Sequence, residues 1–125
     1  MNKALSMAGL YPESIDYINA HGTGTPNNDL TESIAISRIF NQNMPLICST
    51  KSYTGHTLAA SGGIEAVFSI LSIKEGFVPE SLNFAVPMHN GVIPNTTLHR
   101  QEINTVLSNS FGFGGNCSTL IFSKQ

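Results

Sequence analysis

With 125 residues and 41% hydrophobic content, the chain is long enough for one domain with a buried core. Its formal charge of −2, with only six lysines and arginines, provides no basic stripe for nucleic acid and no polybasic membrane anchor. No apolar run approaches the length of about 18 residues that a membrane-spanning helix needs, and MNKALSMAGLYPES lacks the sustained apolar core of a signal peptide. Cys48 and Cys117 lie far apart and in no CxxC arrangement, so two reduced thiols in a cytoplasmic protein are expected rather than a disulfide or a metal pair.

Lys3 to Ala8 read as the end of a helix stopped by Gly9, and Tyr11-Pro-Glu-Ser as a turn. Ile15 to Ala20 form a short apolar strand with His21 at its carboxyl end, followed by the turn Gly-Thr-Gly-Thr-Pro. Asn28 or Asp29 offers an N-cap for a helix from Leu30 to Phe40, with Ile34, Ile36, Ile39 and Phe40 available for burial. After Pro45, Leu46 to Thr50 form a second strand that ends at Lys51, and a further glycine turn carries His56. Leu58 to Lys74 read as one long small-residue helix closed by Gly76. Residues 77–104 are a proline-containing excursion, in which His89 and His99 read as exposed loop residues. Thr105 to Ser110 and Ser118 to Phe122 are strands joined through the turn FGFGG. Strands alternating with helices, then a closing hairpin, predict an α/β layered fold with a mixed sheet flanked by helices.

Three strand ends carry unusual residues: His21, then Lys51 and His56, then Phe111-Gly-Phe-Gly-Gly. In a parallel sheet these ends converge on one edge, where open α/β sheets place their sites. Two imidazoles and an ammonium gathered there can stabilise a developing oxyanion. Singly, each histidine is as readily a turn or core residue and Lys51 a solvated charge; the adjacent glycines favour close approach of a ligand. Thr23 and Thr25 can bond a polar chain or equally their own turn, because GTGT lacks the spacing of a phosphate loop. Glu65, among Ala, Gly, Ser and aliphatic neighbours, is expected inside the protein, where a carboxylate needs a cation; Lys51 is the best candidate.

NAHGTGTPNNDLTE, STKSYTGHTLAASGGIEA and LSNSFGFGG, in this order, resemble the carboxy-terminal half of β-ketoacyl-[acyl carrier protein] synthases, the thiolase-like condensing enzymes of type II fatty-acid and polyketide assembly. The likeness runs from Ala4 to Phe122 and is weakest across residues 77–104. It implies that residues 1–125 form the C-terminal ketoacyl-synthase domain, incomplete at its N-terminal side. The implied activity is decarboxylative condensation of an acyl thioester with malonyl-acyl carrier protein, as an acyltransferase working in a homodimer or heterodimer. No cofactor is implied beyond the phosphopantetheine of the carrier. His21, His56 and Lys51 take the catalytic positions by this resemblance, with Glu65, Asp29 and Glu32 supporting them. Phe113 takes the place of a gating phenylalanine, and Thr23 and Thr25 those of the threonines that hold the pantetheine arm.

The family's nucleophile is a cysteine at a helix N-terminus in the other half, which neither Cys48 nor Cys117 resembles. The 125 residues alone are therefore expected to be inactive. A non-catalytic partner of the chain-length-factor kind is the alternative; retention of His21, Lys51 and His56 favours the catalytic reading. The family can hold a monovalent cation at positions matching Asn19, Glu65 and Ser108, but Cys117 stands where an asparagine is usual, and sulfur is a poor ligand for a hard ion. No metal is expected. The resemblance also implies a sheet ordered 3-2-1-4-5 whose central first strand precedes this chain, leaving unpaired central edges and apolar surface that invite self-association.

Overall fold

The computed structural model describes all of Met1–Gln125. Helix α1 (Asn2–Ala8) ends at Gly9, and β1 (Tyr17–Asn19) follows a short 3-10 turn. Helix α2 (Pro26–Phe40), β2 (Leu46–Cys48) and a single helical turn, α3 (Lys51–Thr54), come next. A 3-10 turn over Leu58–Ala60 leads into α4 (Ser61–Glu75). The two-residue strands β3 (Phe77–Val78) and β4 (His99–Arg100) bracket the excursion, and β5 (Thr105–Phe111) and β6 (Cys117–Ser123) form the closing hairpin.

The main sheet is ordered β2-β1-β5-β6, parallel except for the antiparallel β5–β6 pair. Alternation along these strands sorts the core onto two faces. Ile18, Ile47 and Leu107 pack with Ile36 and Phe40 of α2 and with Leu5 of α1. Tyr17, Cys48 and Val106 pack on the other side with Val78 and Ile103.

Strand β1 is hydrogen-bonded on both sides, to β2 and β5, with Tyr17 opposite Leu46 and Val106. The expected unpaired central edge is therefore absent: no strand position lies open between β1 and β5. The sheet has its edges at β2 and β6. That at β2 is blunted by Asn95, whose N–H donates to the Ile47 carbonyl (2.8 Å) while its Oδ1 accepts from the Ile47 N–H (2.9 Å). One residue thus acts as a strand and ties the excursion down.

Four other expectations change. Helix α2 starts at Pro26, with Thr25 rather than Asn28 or Asp29 at its N-cap position. Proline lacks the N–H that the first helical turn leaves free, so it begins the helix two residues before the first polar cap candidate. Lys51 lies in α3 rather than at the end of a strand, and the long helix is divided at Ser61. Residues 77–104 include the β3–β4 pair, which places His99 in a strand; His89 is exposed as expected.

Helix α4 packs with inverted polarity. Ser61, Glu65, Ser69 and Ser72 are buried, while Val67, Ile70 and Leu71 face outward. Small hydroxyls let the helix lie close against β5, and they bring Glu65 under the strand ends.

Candidate active site

At the end of β1 the chain turns sharply so that His21 stops beneath its own loop. Gly22 has φ +39°, and a Cβ there would lie 2.5 Å from Cβ of Ser49. No other residue fits that corner. From α2, the buried Glu32 holds the corner with both carboxylate oxygens: Oε1 accepts from the His21 N–H and Oε2 from the Gly22 N–H, each at 2.9 Å. Asn109 of β5 donates to Oε1 as well (3.0 Å). Burial raises the Glu32 carboxyl above its ordinary range, and hydrogen bonds from Gly22, Asn109 and His21 oppose the rise.

At the end of β2, the Thr50 N–H and hydroxyl both donate to Oδ1 of Asn19, which fixes the start of α3. Lys51 is thereby turned inward, buried, and forms an ion pair with Glu65. The second Glu65 oxygen accepts from the Ser110 hydroxyl (3.3 Å). Lys51 Nζ also lies 3.2 Å from His21 Nδ1. An ammonium has no lone pair, so Nδ1 accepts and the ring proton sits on Nε2. Burial, then the charge of Lys51, then His56, push the His21 pKa down to about 4, with Asp29 opposing, so the ring is neutral near pH 7.

His56 reaches the same arrangement by another route. Its Nδ1 lies 3.2 Å from the Leu58 N–H and 3.2 Å from the Ser61 hydroxyl. Nδ1 again accepts, and Nε2 carries the proton. The rings of His21 and His56 are 5.4 Å apart and nearly perpendicular, at 88°. They open onto one hollow of about 340 Å³ that also involves Ser61, Ser110, Phe111 and Asn116. A larger hollow of about 630 Å³ lies between the start of α2 and residues 81–94, lined by Asp29, Gly22 and Thr23 among others. Size does not decide between them: only the smaller one has both histidines.

His21, His56, Lys51, Glu65 and Glu32 are thus brought into one connected cluster. Asp29 lies on the larger hollow, which Lys51 and Glu32 line as well while the histidines do not, and Asn28 donates to its carboxylate (3.0 Å). The hydroxyls of Thr23 and Thr25 bond each other at 2.8 Å on the surface. Phe113 is fully exposed, and the aromatic side chain beside His21 is that of Phe111, 5.6 Å away. FGFGG offers two phenylalanines; the strand runs on through Phe111, whereas Phe113 begins a glycine turn.

Ser108 pairs in register with Asn19, and Asn19 Nδ2 donates to the Glu65 carbonyl (3.2 Å). Oδ1 of Asn19 and both carboxylate oxygens of Glu65 already accept hydrogen bonds. Cys48 is buried with its thiol pushed up to about 11 by burial, and Cys117 is exposed on β6; neither lines the histidine hollow. Sequence reasoning passed over Asn109, Ser110 and Ser61, small polar residues whose direction depends on strand register and helix phase.

A family model described as the C-terminal domain of β-ketoacyl synthase matches residues 1–85. The chain is 43% identical to 3-oxoacyl-[acyl-carrier-protein] synthase 2 of Coxiella burnetii, over 99% of its own length and 31% of that protein. It is 42% identical to the mitochondrial 3-oxoacyl-[acyl-carrier-protein] synthase of Arabidopsis thaliana, over 99% of its length and 28% of that protein. Among solved structures it superposes on a β-ketoacyl synthase from Burkholderia phymatum with a TM-score of 0.92 at 38% identity, covering all of this chain and 31% of that one. It also matches the ishigamide ketosynthase/chain length factor, with a TM-score of 0.92 at 35% identity over 99% of this chain and 31% of that one. The chain therefore spans less than a third of the length of these relatives, and the α/β layered fold is the thiolase-like one.

Proposed function

Because the chain belongs to the β-ketoacyl synthase family, we propose that it supplies the oxyanion-binding half of a 3-oxoacyl-[acyl-carrier-protein] synthase site. One observation carries this: Nδ1 of His21 faces the Lys51 ammonium and Nδ1 of His56 faces the Leu58 N–H, so each ring has its Nε2–H free to offer, and both line one hollow.

The chemistry follows from that pair. When a malonyl thioester loses CO₂, the electron pair of the breaking carbon–carbon bond flows toward the thioester carbonyl as an enolate. Two preset N–H donors stabilise the oxygen that gains the charge. The enolate carbon then bonds the carbonyl of an acyl thioester, and the thiolate that carried it departs. The neutral His21 ring suits this task, because it binds the enolate without protonating it at once. Burial and then the Lys51 charge keep His21 neutral, and Lys51, paired with Glu65, orients the ring.

The attacking thiolate lies outside these 125 residues in this reading, given where Cys48 and Cys117 stand. Thr23 and Thr25 hold the pantetheine arm by exchanging their mutual bond for bonds to its amides, and Phe113, on its exposed glycine turn, is the gate. Asp29 contributes charge at a distance. The substrates are malonyl and acyl thioesters on acyl carrier protein, no separate cofactor takes part, and the working enzyme is a dimer. A reducing compartment such as the cytoplasm suits the two free thiols. No helix is long and apolar enough to cross a membrane.

The test is a chimera in which this chain replaces the matching segment of the Coxiella burnetii synthase. It should release CO₂ from malonyl-acyl carrier protein, and His21→Ala or His56→Ala should slow that release by about 10²-fold or more. The 125 residues alone should release none. A folded chimera without decarboxylation, or histidine variants at full rate, would refute the assignment.

A further inference from the structure

We infer that Ser49 is a positioning residue for His21: its hydroxyl donates to the Gly22 carbonyl and so registers the corner that carries His21 against the turn that carries Lys51. The inference rests on the reading above, in which the His21 ring is held ready to donate to an oxyanion.

The need for such a residue arises where the ladder between β1 and β2 stops. In a parallel pair, backbone hydrogen bonds set the spacing of neighbouring chains. The last of them runs from the Ala20 N–H to the Cys48 carbonyl (2.8 Å). Beyond it, the Thr50 N–H turns to Asn19 Oδ1 and the Gly22 N–H to Glu32 Oε2. The contact between His21 Nδ1 and Lys51 Nζ (3.2 Å) lies past that last rung, so side chains must set it.

Ser49 stands in this gap. Its Oγ lies 3.0 Å from the Gly22 carbonyl oxygen and 3.5 Å from that of His21. A carbonyl can only accept, so the hydroxyl is the donor, and the shorter bond is the principal one. Ser49 is anchored in turn: its own carbonyl accepts from the Ser52 N–H (3.3 Å) and the Ser52 hydroxyl (3.1 Å) of α3, the helix that begins at Lys51. The bond therefore ties the His21 corner to the segment that holds the ammonium.

Gly22 makes the tie necessary, because a glycine has the widest choice of backbone conformations. Glu32 fixes its N–H from α2, and Ser49 fixes its carbonyl from the end of β2. The bonds from Thr50 to Asn19 join the same two strand ends by a separate route. With them in place, removing the Ser49 hydroxyl should release the corner and leave the fold.

The test reads the His21 ring by long-range proton–nitrogen NMR on the 125-residue chain near pH 7.5. The unaltered chain should show Nδ1 unprotonated and Nε2 protonated; the reverse would undo the Lys51 contact and the inference with it. Ser49→Ala keeps the Cβ that abuts Gly22 and removes only the donor, whereas Ser49→Gly removes both. Each should lower the ratio of the Nε2–H to the Nδ1–H tautomer by about fivefold, the worth of one ordinary hydrogen bond. A change in Ser49→Gly alone would overturn the inference, because bulk rather than donation would then hold the corner. An unchanged ratio in both would overturn it, and so would loss of the native amide spectrum in both, which would make Ser49 a determinant of the fold. In the Coxiella burnetii chimera, Ser49→Ala should lower kcat for CO₂ release by about tenfold with KM for malonyl-acyl carrier protein unchanged. A raised KM at full kcat would contradict a role through His21. The ring is read without substrate, so the NMR result can hold even where the chimera fails to decarboxylate, and the two ideas fail separately.

Discussion

Lys51 places its ammonium between the Glu65 carboxylate and Nδ1 of His21, pairing with the first and standing 3.2 Å from the second. All three groups are buried, and none has another partner of opposite charge. Lys51→Met should therefore destabilise the domain by about 3–5 kcal/mol, because it leaves a buried carboxylate uncompensated. The double variant Lys51→Met/Glu65→Leu should recover most of that loss. Urea unfolding of the four members of the cycle checks this. A double variant no better than Lys51→Met would show that the lysine stabilises by some means other than pairing.

The lowered pKa of His21 makes stability depend on acidity in a definite direction. The unfolded ring titrates near 6.5 and the folded one near 4. Between those values the unfolded chain binds more protons, so stability is fully present above about pH 6.5 and falls as pH drops toward 4. Glu32 contributes with the opposite sign, since its raised carboxyl binds protons more readily in the folded state. Comparison with His21→Gln isolates the histidine: the advantage of the wild type should shrink steadily from pH 6.5 to 4. A pH-independent difference between the two proteins would contradict the neutral ring.

The corner at Gly22 rests on two separable requirements, space and backbone conformation. Gly22→Ala violates both, because its Cβ meets Ser49 and φ is +39°. Removing the obstruction with Ser49→Gly should restore only part of the stability lost, and a residue of about 1 kcal/mol should remain from the left-handed backbone. Glu32→Gln should cost about 2–3 kcal/mol by thermal or urea unfolding, since its amide nitrogen would face an N–H that now donates to a carboxylate. Full recovery by Ser49→Gly would mean that sterics alone set the corner.

Much of this site was legible because it depends on strand ends. His21 and Lys51 each follow a short apolar run that reads as a strand, FGFGG follows the strand begun at Thr105, and parallel strands bring their carboxyl ends together. Glu65 was legible from the apolar neighbours around it, which imply burial and so a partner. What could not be read lies in direction rather than location. Phe111 and Phe113 are two residues apart, and only the continuation of β5 through Phe111 decides which ring meets His21. The closed β1–β5 pairing was missed because the likeness suggested a strand between them, and no pattern of apolar residues encodes which strands are neighbours. Ser61 reads as an ordinary small helical residue until the turn before it is seen in three dimensions.

The inverted polarity of α4 leads to the last prediction. Its serines face the sheet, and Val67, Ile70 and Leu71 are 57%, 50% and 38% exposed along the opposite side. An apolar stripe in water favours any contact that covers it. Of the sheet edges, β2 is capped by Asn95 and the central pairing is complete, which leaves β6 as the one open edge. Self-association of the 125-residue chain should therefore proceed through α4, growing with concentration in size-exclusion chromatography with light scattering. Val67→Glu/Leu71→Lys should abolish it, with the two new charges spaced to pair along the helix. The same change should alter unfolding stability by less than about 1 kcal/mol, since neither side chain is buried in the core. Association that survives the double change would transfer the responsibility to the free edge of β6, and a loss of several kcal/mol would show that these side chains pack against something within the monomer.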